Sequence, residues 1–283
     1  MTNKAQQINL LTYERHWVSS KHEWLTALRW RFHYNTRAHL LLFRKAMRLL
    51  DEPWENKRVL DIGFGAGHAL FSLPISNAIY GVDIAEESVR RVTDKARALG
   101  YRDSRFELAR PDDAVPFPDA SMDLVIASHI IEHLEDDVGM LKEIRRLLAP
   151  GGSAIIIMPI DLFGDAILPA EALIHEGYVA GIDTHVRRYN RATFAHTIGS
   201  AGLSVAHVLP WDAYYDLLSR IDHNLRMPLR RWVPLLDRVI SLVLNVSLCS
   251  LPERVLDLGD RYLSRRGFRP RQAAFVCRVA PDR

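Results

Sequence analysis

Cysteine is scarce in this 283-residue chain, with only Cys249 and Cys277 present. They lie far apart and have no histidine at ligand spacing, which excludes a disulfide framework and a zinc site of the usual kind. No metal is expected. Long apolar runs are also missing: the closest approach, Val239–Leu251, is thirteen uncharged residues that include Ser and Asn, too short to cross a bilayer. The first residues, MTNKAQQINLLTYERHW, lack the apolar centre of a signal peptide. A cytoplasmic protein is the expectation, with the inner face of a membrane as a peripheral location. Charge of one sign is lacking too. The net charge is +3, too mild to indicate a nucleic-acid protein. Internal repeats and low-complexity tracts are absent.

What is present is a core-forming composition, 48% apolar, arranged as alternating strand and helix patterns. Residues 22–50 read as helix ending before Pro53. Arg58–Asp61, Ile79–Asp83, Phe106–Ala109, Met122–Ser128 and Ala154–Met158 read as strands, and the apolar Met122–Ser128 is of the type buried on both faces. A short helix closed by Pro74 falls between the first two strands. Helices are predicted over Ala85–Leu99, Asp136–Leu148 and Arg191–Ala201, and further strands over Leu203–Leu209 and Ala273–Val279. This alternation predicts an α/β fold with a doubly wound sheet and crossover helices on both faces. The predicted organisation is an N-terminal helical cap over 1–54, a core over 55–210, a helical insertion over 211–272 and a last core strand and tail over 273–283.

The first strand runs into Asp61-Ile-Gly63-Phe-Gly65-Ala-Gly67, where glycines allow backbone to approach a ligand closely. A dinucleotide fingerprint spaces its glycines G-x-G-x-x-G. Here the spacing is G-x-G-x-G, preceded by an acid that would repel a pyrophosphate and attract a cation. Asp83, ending the second strand, stands where an acid takes ribose hydroxyls. Ribose plus cation points to S-adenosylmethionine. The alternative is a packing turn, with Asp83 capping the helix that follows.

Val59–Gly67 resembles motif I of the class I methyltransferases, and Tyr80–Ile84 resembles the acidic end of their second strand. Val115-Pro-Phe-Pro-Asp119-Ala-Ser-Met-Asp123-Leu-Val resembles a stretch of the ubiquinone and menaquinone methyltransferase type, as do Glu132-His133-Leu and Leu147-Leu-Ala-Pro-Gly-Gly152. The resemblance spans roughly residues 55–209. It implies a Rossmann-like seven-stranded sheet binding S-adenosylmethionine. It also implies that Asp61, Gly63, Gly65 and Gly67 line the methionine end, Asp83 holds the ribose, Ile84 packs on adenine and Asp112 accepts from the adenine amine. Asp113 is an alternative to Asp112, and Ser128 completes the cofactor set.

Methyl transfer needs an acceptor held in line and shielded from water, with a general base where the acceptor is a hydroxyl or amine. His129, directly after the fourth strand, is the first candidate base. His133, one turn on, reads as a packing residue. Asp183–Tyr189 resembles an acceptor-side segment of the family, which adds His185 and Tyr189 as catalytic candidates and Arg188 as an anion-binding one. Tyr13 and Trp17 are read as a lid over the acceptor.

Trp211–Gln272 holds eleven Arg against seven acids. Arginines beside apolar stretches over 226–271 suit either a helical cap that meets the core or a homodimer partner, or a peripheral membrane contact. The expected function is methyl transfer from S-adenosylmethionine to a small-molecule or lipid-linked acceptor, with O- or C-methylation ahead of N. The alternative is a methyltransferase-like binding protein without catalysis.

Overall fold

Seven segments, most of them short apolar runs, form one sheet. The structure is a computed structural model, and it describes residues 34–50, 53–109, 114–160, 189–214, 217–218 and 233–280. In chain order the described elements are α1 (Tyr34–Met47), β1 (Arg58–Ile62), β2 (Ala78–Asp83), α2 (Glu86–Leu99), β3 (Ser104–Leu108), β4 (Met122–Ser128), α3 (Asp137–Leu147), β5 (Leu148–Pro159), α4 (Arg191–Ser200), β6 (Leu203–Trp211), α5 (Pro234–Ser250), α6 (Glu253–Arg265) and β7 (Gln272–Val279). The strand order is β3-β2-β1-β4-β5-β7-β6. The first five strands are parallel, whereas β7 is antiparallel to both β5 and β6. This is the seven-stranded fold of the class that the sequence resembles.

Successive side chains of a strand point to opposite faces, so a sheet covered on both sides must be apolar at every position. β4 shows this, with Leu124 and Ile126 in one core layer and Val125 and Ala127 in the other. The first layer also receives Ala38, Leu42 and Ala46 from α1 and Val92 and Ala96 from α2. The second receives Leu141 and Ile144 from α3 and Phe194 and Ile198 from α4.

Local chemistry sets the helix ends. Asp136 accepts from the Gly139 N–H at 2.8 Å at the start of α3, and Asn190 and Thr193 form a reciprocal capping box at the start of α4. Gly100 ends α2 at φ +86°, a conformation that costs other residues. Two expectations need correction, and a third is described only in part. The glycine loop leads into only a 3-10 turn, Leu70–Ser72, because Pro74 lies too close for a longer helix to form. β5 starts six residues earlier than expected, at Leu148, since Met122 pairs with Leu148 across a register shift. Of the expected helix over 22–50, residues 34–47 are helical and 22–33 lie outside the described residues.

The insertion contributes two described helices. Asp260 of α6 is buried, and its Oδ1 accepts from the backbone N–H of Asp212 and Ala213 at 3.0 and 2.7 Å. α6 is also tied to α1 through Lys45–Asp257 at 2.5 Å and Arg48–Glu253 at 2.7 Å.

Candidate active site

In open α/β sheets ligands bind at the carboxyl ends of the parallel strands, where the strand order reverses. Here that point lies between β1 and β4. The loop after β1 carries Gly63, Gly65 and Gly67 at φ +71°, +51° and +69°, a run of left-handed backbone that glycine alone adopts at little cost. The glycines do different things. A Cβ on Gly63 would lie 2.1 Å from Ile130 Cδ1, and one on Gly67 would lie 2.7 Å from the Phe71 ring. Their hydrogens make room for the protein's own side chains. A Cβ on Gly65 would meet nothing within 4 Å, so this glycine faces open space.

Two acids flank that space. Asp61, on β1, is 3% exposed, and its Oδ1 is buried without a hydrogen-bond partner among the described residues. Burial, and secondarily the neighbouring Asp83 charge, pushes its carboxyl well above the usual range. Asp83 is half-buried, and its two oxygens accept separately from Gly65 N–H at 2.8 Å and Ala85 N–H at 2.9 Å. Burial raises its pKa, and the hydrogen bonds from Ala85 and Gly65 oppose the rise. The N-cap of α2 is Ala85, with no side-chain cap; Asp83 instead joins the glycine loop to the turn before α2. Each of its oxygens keeps acceptor capacity for a ligand hydroxyl. Two neighbouring acids with no neutralising partner among the described residues, beside an open glycine, suit a ligand that carries positive charge and hydroxyls. Ile84 and Ser128 stand half-buried at the ends of β2 and β4. Asp112 and Asp113 lie outside the described residues.

His129 follows β4 at φ +55°, an uncommon conformation for a non-glycine residue and one concentrated at functional sites. Its ring stacks on His39 of α1 with centroids 4.0 Å apart. Its Nε2 lies 3.1 Å from Gln272 Oε1, and its Nδ1 lies 3.3 Å from Glu132 Oε1. His133 Nε2 approaches the same carboxylate at 4.0 Å. Gln272 directs its amide nitrogen towards Asp212 Oδ2 at 3.5 Å, which leaves its oxygen to accept from His129 Nε2–H. Strand direction explains the gathering. Because β7 is antiparallel, its first residue, Gln272, arrives at the carboxyl ends of β5 and β6, beside Pro159 and Trp211.

Sequence reasoning singled out His129 but missed His39, Gln272 and Asp212, and gave Glu132 no role. The only signal for Gln272 was a polar residue directly before the apolar run Ala273–Cys277. Tyr189 stands apart from this group: it is 4% exposed, packs on Phe194 and donates its hydroxyl to Asp137. Tyr13, Trp17, His185 and Arg188 lie outside the described residues. A separate cleft of about 550 Å³, lined by Lys57, Arg58, Asn77 and Arg102 among others, opens at the amino ends of the strands. It is remote from the glycine loop. Among the described residues no group of His, Cys, Asp or Glu could hold a metal ion.

Residues 60–156 match the family described as "Methyltransferase domain". Over 107 residues the chain is 36% identical to the ubiquinone/menaquinone biosynthesis C-methyltransferase UbiE of Geobacter sulfurreducens, a match covering 36% of this chain and 42% of that protein. Over 111 residues it is 32% identical to a ubiquinone biosynthesis O-methyltransferase of a Caulobacter species, covering 37% and 41%. The chain thus spans about two fifths of the length of these curated relatives. A solved structure of phosphoethanolamine N-methyltransferase 2 from Haemonchus contortus, in complex with S-adenosyl-L-methionine, superposes with a TM-score of 0.53 at 16% identity. That superposition covers 85% of this chain and 52% of the other, a likeness of fold.

Proposed function

This chain carries, in residues 60–156, a methyltransferase domain on the class I methyltransferase fold, and on that premise we propose that it moves a methyl group from S-adenosylmethionine to a small-molecule acceptor. The observation that carries the reading is Asp61, whose buried, unpartnered Oδ1 stands near Asp83 and the open face of Gly65. Burial raises both carboxylates and the Asp83 charge raises Asp61 further, a cost that a cationic ligand relieves. The residues therefore fit this cofactor, which when bound supplies an electrophilic methyl group on a positively charged sulfur. Asp61, Gly63, Gly65 and Gly67 hold its methionine end. Asp83 takes the ribose hydroxyls, and Ile84 and Ser128 line the remainder, with Asp112 as the adenine partner.

His129 orients the acceptor and receives its proton where one is released. With Nε2–H given to Gln272, the lone pair left to take a proton is on Nδ1, facing the Glu132 carboxylate, which stabilises the cation that forms. Gln272 and the His39 stack hold the ring against rotation. His185 and Arg188 add an acceptor-side anion site and Tyr13 and Trp17 a lid. Tyr189, with its hydroxyl on Asp137, ties the start of α4 to α3 and is not a catalytic group in this reading. A carbon or oxygen acceptor is placed ahead of nitrogen in this reading, with the C- and O-methyltransferase relatives in its support and the N-methyltransferase among the superposed structures against it.

Calorimetric titration with S-adenosylmethionine tests the reading. Binding in the micromolar range is expected for the wild type, with a loss of at least about tenfold, or 1.4 kcal/mol, for Asp61→Ala. No binding by a folded wild-type chain would overturn it, and equal binding by Asp61→Ala would remove Asp61 from the cofactor site.

A further inference from the structure

The two helices of the insertion leave large apolar side chains in solvent. On α5, Leu236, Val239, Leu242 and Val243 are 45–63% exposed, and on α6, Val255, Leu258 and Tyr262 are 45–67% exposed. In α6 the three are spaced i, i+3 and i+7, a single stripe along one side of the helix. In α5 the exposed four fall within an arc of roughly 120° at 3.6 residues per turn, again one side of the helix, and the chain carries no charge from Val239 through Leu251. Leu248 and Cys249 pack on the core, so α5 is apolar outward as well as inward, and its outer side calls for an apolar surrounding.

The charges of α6 are sorted by side. Its three acids are turned inward and engaged: Glu253 with Arg48, Asp257 with Lys45, and Asp260 with two backbone N–H groups. Its three arginines up to Arg265, at positions 254, 261 and 265, are exposed and make no ion pair with any described residue. They flank Leu258 on the outer side. Arg266, just beyond, lies over the Tyr262 ring at 5.3 Å. Gly259 faces inward, where a Cβ would collide with the Tyr214 hydroxyl. The outer side thus combines apolar residues with guanidinium groups that no described residue neutralises.

We propose that the outer surface of α5 and α6 docks on an anionic lipid surface. Apolar side chains enter the boundary between headgroups and acyl chains, and the arginines pair with lipid phosphates. No described helix is long and apolar enough to cross a membrane, so the helices lie along the surface. A second copy of the chain is a poorer complement. In a two-fold interface this side would meet itself, and α6 offers no outward acid to pair with the arginines. The proposal is independent of the methyltransferase reading.

Co-sedimentation of the full chain with vesicles tests it. The chain should sediment with phosphatidylcholine vesicles containing roughly one third phosphatidylglycerol, but only weakly with phosphatidylcholine alone. Replacing Arg254, Arg261 and Arg265 together by Gln should lower partitioning roughly a hundredfold, three charges each contributing a factor of about five. Leu258→Glu should abolish sedimentation while the thermal melt stays unchanged. Failure to sediment with the anionic vesicles would overturn the proposal, as would equal sedimentation with neutral ones. Concentration-dependent dimers that Leu258→Glu dissociates, without vesicle binding, would assign the surface to a second copy and overturn it as well.

Discussion

Gly63 and Gly65 are two residues apart in one loop, yet the structure assigns them opposite burdens. Gly63→Ala forces a Cβ onto Ile130 in a left-handed conformation, so it should cost about 2–4 kcal/mol of stability through overpacking and backbone strain. Gly65→Ala meets only open space. It should cost about 1 kcal/mol yet abolish cofactor binding, a divergence that denaturant melts and calorimetry on the two variants would resolve. The motif spacing singled out both glycines, Asp61 and Asp83 in the sequence, and the structure brings them around one open space because two adjacent strands and the loop between them carry all four. Of the group at the end of β4, His129 was legible and its partners were not. Gln272 lies 143 residues from His129, and their contact follows from strand direction, which local periodicity does not encode.

At the scale of elements, short apolar runs separated by helical patterns located the strands, since a sheet covered on both faces needs continuous apolar segments. Ends were harder to place: Pro74 shortened the element after the glycine loop to a 3-10 turn, and pairing with β4 lengthened β5. The insertion's helices were legible in composition, but their attachment was not. One acid on α6 provides much of it. Asp260→Ala leaves the N–H groups of Asp212 and Ala213 without their shared acceptor, so a loss of about 2–4 kcal/mol is expected in urea denaturation. Asp260→Asn keeps the accepting oxygen and should lose less than half as much. A similar loss in both variants would show that the charge, rather than the two hydrogen bonds, matters there.

For the whole molecule, the two raised carboxylates link stability to pH. Folded pKa values of Asp61 and Asp83 lie above their ordinary ones, so in the intervening window the folded state holds more protons than the unfolded, and stability falls as pH rises through it. A cationic cofactor lowers both values and reverses this cost. At roughly one hundred times its dissociation constant it should add about 2.7 kcal/mol, lifting the melting temperature by about 5–10 °C. The increment should shrink as pH is lowered towards the carboxylate range in thermal melts with and without S-adenosylmethionine. A pH-independent increment would mean that neither acid meets the cation. The strand order has a further consequence for a chain emerging from a ribosome. β7, the most C-terminal described strand, lies between β5 and β6. Five parallel strands can assemble as they appear, but β6 has no neighbour until β7 is made. During synthesis the growing sheet therefore presents an open β5 edge, the stage at which a helper protein or a stray strand would most readily capture it.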